Sequence, residues 1–395
     1  MSTIIYYSLL GIALIGLVVW ISRYITVLRS AGSYPNLDEN SYKHPMADPP
    51  FVSILIPARN EERSIRECLE SLTHQDYPNF EIIVVNDRST DRTGEIVEEF
   101  QKNHGNIALI ANEELLEGWT GKNFALHKGV QAAKGVWYLF TDADTCHHPK
   151  CLSQAVNYVL DKKTDMLTLL PFLEGKTFWE KLIQPIAGAV LLISFPIKNS
   201  NNPRKRTAFA NGQFILIRKD IYDKFDGHKG LKKHILEDVA MAKAVKHGGD
   251  VVSVVIGPNL YKTRMYKNFT EIWNGWTRIF YYIYEKNIWR ISTNILLIFF
   301  LSLLPIILFV YCGVRLMAEN EFSNRTFLLW VLGALQIIGI RLTTFRYCKM
   351  SRSNPYFSML NPVGYVVVIG ILLNAIKTIF SKKGMIWRGT TYAKN

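Results

Sequence analysis

The chain has 395 residues, of which 49% are hydrophobic and 20% are charged, and its formal net charge is +13. This length can bury a complete catalytic domain and still carry additional elements. The hydrophobic share is high for a soluble enzyme, while the many charged residues in the middle of the chain exclude a protein that is embedded in a membrane throughout. We therefore expect a globular domain flanked by membrane segments.

Four uncharged stretches are candidates to cross a membrane, namely residues 1–22, 291–312, 326–340 and 353–376. A helix needs about 20 residues to span the hydrocarbon core, so the third stretch is predicted to be marginal. The fourth contains prolines, and the sequence leaves open whether it crosses the membrane or is re-entrant. We predict an N-terminal transmembrane anchor over residues 1–28 and a C-terminal region, residues 288–395, with two or three transmembrane helices.

The basic residues next to the first stretch indicate its orientation. No Lys or Arg precedes it, whereas Arg23 and Arg29 follow it. Because Lys and Arg accumulate on the cytoplasmic side of membrane spans, the middle domain is predicted to be cytoplasmic. The net positive charge suits an anionic membrane surface. The sequence contains no recognised nucleic-acid-binding motif, so we expect no nucleic acid partner.

The middle of the chain alternates between short apolar runs and helical periodicity. Strands are predicted over residues 51–56, 80–85, 107–110 and 136–141, and helices between them. Such βα repeats favour a parallel sheet whose ligands bind beyond the carboxyl ends of the strands. Further along, we predict a strand over residues 209–217, a helix over residues 236–246 and a strand over residues 250–256.

One apolar segment of the middle domain has a different character. Residues around 180–200 are apolar but too short and too rich in proline to span a bilayer, and a basic run follows them. We predict an interfacial helix here, the alternative being a buried core helix.

Two aspartates follow the predicted strand that ends at Thr141. Asp142 and Asp144 are separated by one residue and would leave the sheet at its ligand-binding edge. Carboxylate oxygens are the ligands that Mg²⁺ and Mn²⁺ prefer, and such ions often take only one or two from the protein while phosphates and water complete the shell. The pair therefore predicts a divalent metal that holds a diphosphate. The structural alternative is a solvated turn.

Several short motifs follow one another in the middle of the chain. They are residues 51–62 (FVSILIPARNEE) and 84–91 (VVNDRSTD), then Gly121-Lys122, Asp142-Ala143-Asp144 and Glu237-Asp238. In this order they resemble the motifs of family 2 glycosyltransferases, which have the GT-A fold. The resemblance implies an α/β domain of GT-A type with a mixed sheet over residues 48–280, between N-terminal and C-terminal transmembrane helices. Membrane-bound members that act on carotenoids, hopanoid-associated lipids or ceramides are the most similar in pattern.

The resemblance also implies roles for individual residues. The donor would be bound by Pro57, Ala58, Asn60, Glu61, Asp87, Lys122 and Asp142, and the metal by Asp142 and Asp144. Asp238 would be the general base, with Glu237 beside it, although both could instead be the acidic first turn of a helix. Asp87 could equally form an Asx turn, and Glu61 could cap its helix. Arg88 stands where the family usually has glycine.

A later segment resembles the part of these enzymes that holds the acceptor and the diphosphate. Trp273, Trp276 and Arg278 are similar to a degenerate Q-x-x-R-W element, and the departure from that element argues against polymer synthesis. The alternative is an aromatic belt in front of a membrane span.

These observations predict an inverting glycosyltransferase in a bacterial cell membrane. It would move one sugar from a nucleotide-sugar, expected to be a UDP-sugar, to a membrane lipid. Two alternatives stay open at this point: a processive polysaccharide synthase, and a membrane protein that binds nucleotide-sugar without catalysis. The sequence does not specify the sugar or the acceptor.

Overall fold

A computed structural model describes residues 2–30, 34–44, 46–318, 323–381, 385–387 and 390–392. Its strands are β1 Val52–Ala58, β2 Phe80–Asp87, β3 Ile107–Asn112, β4 Trp137–Thr141, β5 Thr145–His147, β6 Met166–Leu170, β7 Phe172–Leu173, β8 Phe214–Arg218, β9 Val252–Ile256, β10 Tyr261–Thr263, β11 Met385–Trp387 and β12 Thr390–Tyr392. Its α-helices are α1 Thr3–Ser30, α2 Ile65–Thr73, α3 Thr93–Asn103, α4 Gly121–Ala132, α5 Cys151–Asp161, α6 Phe178–Ser194, α7 Ile197–Ser200, α8 Lys219–Lys224, α9 Gly227–Gly230, α10 Glu237–His247, α11 Phe269–Ile283, α12 Ile288–Ile298, α13 Leu304–Ala318, α14 Asn324–Met350 and α15 Asn361–Phe380.

The chain forms two compact units. We call the first the membrane unit, and it comprises Met1–Ser33, Gly175–Leu191 and Tyr266–Asn395. The second, the sheet unit, comprises Tyr34–Glu174 and Leu192–Met265. The predicted domain of residues 48–280 is therefore divided, because residues 175–191 and 266–280 belong to the membrane unit.

The sheet unit is built on a seven-stranded mixed sheet with the strand order β3-β2-β1-β4-β8-β6-β9. Strands β1 to β4 are parallel neighbours, whereas β8 runs antiparallel between β4 and β6. The chain builds outward from β1 to β3 and then returns to place β4 on the other side of β1. Ligands bind at such a reversal point, beyond the carboxyl ends of the strands.

The apolar runs of the sequence explain why these strands are central. The side chains of β1 and β4 are buried almost throughout, as is expected when helices cover both faces of a parallel sheet. Helix α2 buries one face only, through Ile65, Cys68 and Leu69. This helix begins only at Ile65, because residues 61–64 form a turn in which the backbone amides of Ser64 and Ile65 donate to the carbonyl of Glu61.

One predicted strand is shorter in the structure than the sequence indicated. Strand β8 begins at Phe214, so residues 209–213 of the predicted strand instead form a buried turn. The amide of Phe214 donates to the carbonyl of Asn211 at 3.1 Å and closes this turn. Gly212, at its centre, lies in the candidate site described below.

Four helical stretches of the described residues are long and apolar enough to cross a membrane, judged by length and composition: Thr3–Arg29, Ile288–Ala318, Asn324–Met350 and Pro355–Phe380. The third is longer than its uncharged core predicted, because the helix continues through Arg325 and Arg341 and reaches 27 residues. Long basic side chains at helix ends can extend to the interface and tolerate this. The fourth stretch starts with a 3₁₀ segment, Pro355–Leu360, and Pro362 lies at the beginning of α15, where proline is well accommodated.

Helix α6 begins with a capping box in the membrane unit. The Glu180 carboxylate accepts hydrogen bonds from the amides of Thr177, at 2.6 Å, and Lys176, at 3.2 Å. Ile186 of this helix packs so tightly on Gly364 of α15 that a Cβ atom there would lie 2.3 Å from its Cδ1 atom. The residues of α6 in this unit thus pack directly on a candidate membrane helix, and the interfacial location stays a prediction.

A tryptophan of α1 compensates for a proline in the second candidate span. Pro305 has no N–H to donate to the carbonyl of Leu301, four residues earlier, and the helix adopts a π-turn over Phe299–Leu303. The indole Nε1 of Trp20 donates to this carbonyl at 2.7 Å. Helix α1 is therefore joined to the second candidate span by a hydrogen bond to a carbonyl that Pro305 leaves without its helical donor.

We expect Trp20→Phe to destabilise the full-length protein in detergent by about 1 kcal/mol, because the Leu301 carbonyl loses its donor. The loss should be smaller when the same change is made in a Pro305→Ala background, since an alanine at this position restores a backbone donor. Thermal unfolding of the four proteins of this double-mutant cycle measures the difference. Equal losses in both backgrounds would contradict the assigned role of Trp20.

Candidate active site

The loops that follow β1 and β2 are joined by polar side chains. Asn60 has a left-handed backbone with φ of 55°, and its Oδ1 atom accepts from the amide of Thr90 at 2.8 Å. Its own amide donates to the Oγ of Ser89 at 3.0 Å. Pro57 and Ala58, two predicted donor-binding residues, form the last two positions of β1 immediately before this loop.

Glu61 contacts both loops through main chain and side chain. Its amide donates to Thr93 Oγ1 at 2.8 Å, and its Oε2 atom accepts from Ser64 Oγ at 2.8 Å. The alternative that Glu61 stabilises the start of its helix therefore fits this structure. A role in donor binding stays a prediction.

Asp87 ends β2 and is buried within a polar cluster. Its carboxylate accepts from Arg88 Nε at 2.9 Å and from Asn112 Nδ2 at 2.8 Å. Arg88 has a φ of 55°, so the turn where the family usually has glycine does require a left-handed residue. The pairing fixes the Asp87 carboxylate in the crevice beside the ends of β2 and β3.

Asn112 is a candidate donor-binding residue that the sequence analysis did not identify. It is buried at the end of β3, and its Oδ1 atom has no hydrogen-bond partner among the described residues. A buried amide oxygen without a partner is costly unless a ligand or water binds it. Its position in the sequence was a usable signal. Asn112 is a polar residue at the end of β3, just as Asp87 is at the end of the neighbouring strand β2.

Lys122 is the centre of the candidate site. Its Nζ atom lies 2.8 Å from Asp142 Oδ1 and 2.7 Å from Glu237 Oε1. Thr120 caps α4 with its side chain, which accepts from the amide of Asn123, and this places Lys122 in the first turn of the helix. The Lys122 ammonium thus holds together two predicted carboxylates, Asp142 and Glu237, that are far apart in the sequence.

The Lys122 ammonium stays charged in this environment. Burial by itself lowers the pKa of this side chain, but the charges of Asp142 and Glu237 outweigh burial and raise the pKa above its ordinary value. Only 16% of the Lys122 side chain and 8% of the Glu237 side chain are exposed, so water screens this pair weakly. The arrangement therefore presents a fixed positive charge at the ligand edge of the sheet.

Asp238 lies beside this cluster and is oriented by backbone amides. Its Oδ2 atom accepts from the amide of Gly212 at 2.9 Å, and its Oδ1 atom accepts from the amide of Val239 at 2.7 Å. A Cβ atom at Gly212 would lie 3.1 Å from Lys122 Nζ and 3.2 Å from both Asp238 Oδ2 and Glu237 Oε1. Glycine at this position is what allows the ammonium and the two carboxylates to converge.

Gly212 was also missed by the sequence analysis, which assigned it to the interior of a strand. An isolated glycine in a strand pattern often marks a close approach of the backbone to another group. The dipeptide Asn211-Gly212 was therefore a usable signal.

Asp238 is partly exposed. The protein atoms packed around its carboxyl group nevertheless change the pKa of that group. Burial, together with the neighbouring charge of Glu237, raises the pKa of Asp238 to about 7, against the lowering effect of Lys122. A carboxylate with a pKa near neutrality is suited to accept a proton at physiological pH.

Asp142 and Asp144 flank Ala143 between β4 and β5, at the ligand edge predicted for them. Both are partly exposed. The described residues contain no group of three or more His, Cys, Asp or Glu side chains that could hold a metal. A set of two carboxylates fits a hard divalent ion only if phosphates and water supply its other ligands. The pair thus suits an ion that arrives with a diphosphate.

The residues predicted to contact the acceptor lie on α11 of the membrane unit. Trp276 is buried, with 3% exposed, and Trp273 lies against Gly370 of α15, where a Cβ atom would be 2.8 Å from the indole. Gly275 is equally confined, because a Cβ atom there would lie 2.3 Å from the Tyr266 ring. Arg278 is partly exposed on the same helix. Trp273 and Trp276 contribute to helix packing here, and their contact with an acceptor stays a prediction.

Comparison with known proteins finds a family match for the middle of the chain. Residues 53–226 match Glycosyl transferase family 2. This chain contains a family 2 glycosyltransferase domain. The match confirms the predicted family, and together with the mixed sheet it confirms the predicted GT-A-type fold, accompanied by four candidate membrane-spanning helices.

The individual proteins that resemble this chain share only a low sequence identity with it. The 4,4'-diaponeurosporenoate glycosyltransferase of Staphylococcus aureus (strain USA300) is 29% identical over 230 residues, which cover 58% of this chain and 60% of that protein. Among solved structures, the mannosyltransferase PcManGT of Pyrobaculum calidifontis, in complex with GDP-Man and Mn²⁺, is 16% identical with a TM-score of 0.49, and the alignment covers 94% of this chain and 99% of that one. Residues 1–349 of TarS from S. aureus are 17% identical with a TM-score of 0.41, covering 83% and 90% of the two chains.

We expect Lys122→Met to lower the stability of the full-length protein by about 3 kcal/mol, because the buried Glu237 carboxylate loses its cation. Combining it with Glu237→Gln removes that unpaired charge and should recover part of the loss. Thermal unfolding in detergent measures both changes.

Lys128→Met is the matched control on the same helix. Lys128 lies 3.5 Å from the exposed Glu114, so this change should alter stability by no more than about 0.5 kcal/mol. A similar effect of Lys122→Met and Lys128→Met would mean that the central ion pairs do not stabilise the site.

Proposed function

We propose that this protein is a membrane glycosyltransferase that moves one sugar, with inversion, from a nucleotide-sugar to a membrane lipid. The observation that carries the proposal is the convergence of Lys122, Asp142 and Glu237 beside the partly exposed Asp238. The family 2 match and the four candidate spans support the reaction class and the membrane location. The catalytic domain is proposed to face the cytoplasm of a bacterial cell, on the basis of the basic residues that follow the first span.

The donor would bind along the ends of β1, β2 and β4. Asp87 and Asn112 offer acceptor atoms to a nucleoside, with UDP as the proposed carrier, and the loop of Asn60 and Glu61 would enclose it. Lys122 would exchange its contacts with Asp142 and Glu237 for contacts with the diphosphate, whose negative charge grows as it departs. A family resemblance and a fixed cation at the strand ends both support this placement.

A divalent ion, Mg²⁺ or Mn²⁺, would be held by Asp142 and Asp144 with the diphosphate, and it would supply Lewis-acid stabilisation of the leaving group. The two-carboxylate donor set at the end of β4 supports this assignment. Lys122 and the first turn of α4 would add positive potential on the same side.

The acceptor would be deprotonated by Asp238. A lipid hydroxyl oxygen attacks the anomeric carbon, its proton passes to Asp238, and the bond between that carbon and the diphosphate oxygen breaks with its electrons leaving on the diphosphate. A lipid carboxylate would attack in the same way but is already ionised near neutral pH, so it has no proton to transfer. Attack on the face opposite the leaving group inverts the anomeric centre. The amides of Gly212 and Val239 orient the carboxylate for this step.

A lipid is the proposed acceptor because the chain combines the candidate spans with the aromatic helix α11, and because the carotenoid glycosyltransferase is a relative. A processive synthase is less well supported, since Trp273 and Trp276 pack within the membrane unit and the Q-x-x-R-W element is incomplete. A non-catalytic binding protein is less well supported, since Asp238 is partly exposed beside the Lys122 cluster and is oriented there by two backbone amides. Incubation of membranes with labelled nucleotide-sugars, followed by lipid extraction and mass spectrometry, tests the proposal and sizes the product.

Asp238→Asn should lower kcat by roughly 10²- to 10⁴-fold, because the amide cannot accept the acceptor proton, while binding of the nucleotide-sugar is largely retained. Turnover and equilibrium binding of the donor measure the two effects separately. Asp220→Asn, at an exposed carboxylate paired with Arg218, is the control and should be fully active. Substantial turnover by Asp238→Asn would remove this residue from the role of base.

The pH dependence should follow the ionisation of Asp238. Because its pKa is raised to about 7, the active carboxylate form is lost as the pH falls below 7, and kcat/KM should decline there and level off above it. Glu237→Gln removes a negative charge that raises this pKa, so the decline should move to lower pH. Glu99→Gln, at an exposed residue paired with Arg66, should leave the profile in place. An unmoved profile in Glu237→Gln would assign the limb to another group.

A further inference from the structure

A cationic loop follows helix α6 in the sheet unit. We use this name for residues 198–207, which contain Lys198, Arg204, Lys205 and Arg206 and no acidic residue. All four basic side chains are exposed. Within the part of the chain that the structure describes, none of them forms an ion pair. The loop therefore presents four like charges to its surroundings without local compensation.

The backbone of the cationic loop is held in place by a partly buried ammonium group. The Nζ atom of Lys246, near the end of α10, donates to the carbonyls of Asn199 at 3.0 Å, Ser200 at 2.7 Å and Thr207 at 2.7 Å. These three carbonyls belong to the beginning and the end of the loop. One ammonium group thus closes the loop at its base, next to Lys198, and leaves Arg204, Lys205 and Arg206 at its tip.

A second contact fixes the loop to the edge of the central sheet. The side chain of Asn201 exchanges two hydrogen bonds with the backbone of Val254 in β9, at 2.9 Å and 2.7 Å. Within the tip, the amide of Lys205 donates to the carbonyl of Asn202 at 3.1 Å. A loop ordered in this way loses little conformational entropy when it binds, which favours binding over mere solvation of the charges.

Apolar side chains accompany the charges along the chain. Ile193, in the last turn of α6, is 50% exposed. The rings of Phe195 and Phe209 form a tilted pair with their centroids 6.0 Å apart. Exposed apolar groups beside clustered Lys and Arg are typical of segments that lie on a membrane surface. The cationic loop has no aromatic residue for stacking on bases, which disfavours single-stranded nucleic acid.

We propose that the cationic loop is a docking surface for anionic phospholipid headgroups. The four cations match the charge of such headgroups, and each contributes roughly a fivefold preference for an anionic surface. Ile193 provides the adjoining apolar contact. Because Lys246 and Asp238 belong to the same helix, lipid bound at the loop also constrains the element that carries the proposed base. The surface itself does not depend on the proposed reaction.

Hydrogen–deuterium exchange of the full-length protein in nanodiscs tests this surface. We compare discs of phosphatidylcholine alone with discs that also contain phosphatidylglycerol, and follow the amides of residues 198–207. Exchange should slow severalfold only when the anionic lipid is present. High salt should abolish the difference, because exposed charges are screened at short range. Equal exchange in both lipids would overturn the proposal, and so would protection by added RNA in place of anionic lipid.

Charge variants make the test specific. Changing Arg204, Lys205 and Arg206 together to Gln should remove the protection, whereas changing Arg204 and Arg206 to Lys should retain it. The matched control changes three scattered exposed residues, Lys102, Lys134 and Lys150, to Gln and should leave the protection intact. Protection that persists in the first variant, or that is lost in the control, would refute a headgroup site at the loop. This measurement involves no sugar transfer, so its outcome is independent of the proposed enzymatic activity.

Discussion

The candidate site depends on the ion pairs of Lys122 with Asp142 and Glu237. The two carboxylates come from the end of β4 and the start of α10, which are separated by almost a hundred residues, and a single ammonium holds them at 2.8 Å and 2.7 Å. Without that cation, two acidic groups near Asp238 would repel one another in a poorly screened space. The charge that stabilises this arrangement is also the charge that a departing diphosphate would need.

The backbone at Gly212 sets how closely these groups can approach. Its amide orients Asp238, and its missing side chain leaves room for Lys122 and Glu237. The raised pKa of Asp238 follows from this crowding, since burial and the Glu237 charge disfavour the ionised form more than Lys122 and two amide donors favour it. The proposed base, Asp238, and the proposed phosphate-binding cation, Lys122, are therefore parts of one electrostatic unit, although they would act on opposite sides of the transferred sugar.

Helix packing governs the membrane unit in the same way that charge governs the site. Gly364 and Gly370 of α15 admit Ile186 and the Trp273 indole at distances that any side chain would prevent. Trp20 donates to the Leu301 carbonyl, to which Pro305 cannot donate because it has no N–H. In the sheet unit, Lys246 closes the cationic loop from the same helix that begins with Glu237 and Asp238. In each unit, elements are thus fixed by contacts from distant parts of the chain.

The strands, the candidate spans and the motif residues could be predicted from local sequence pattern. The apolar runs of β1, β2 and β4 predicted the central strands, the long apolar stretches predicted the spans, and Asp142, Lys122 and Glu237 were identified by motif. The sequence pattern could not predict contacts between residues that only the tertiary structure brings together. Residues 209–213 were predicted as part of a strand, yet the amide of Phe214 closes a turn on the carbonyl of Asn211. Gly212 in this turn lies against the side chains of Lys122, Glu237 and Asp238. The burial of Asn112 and Trp276 was likewise decided only by packing, since the residues that surround them are remote in the sequence.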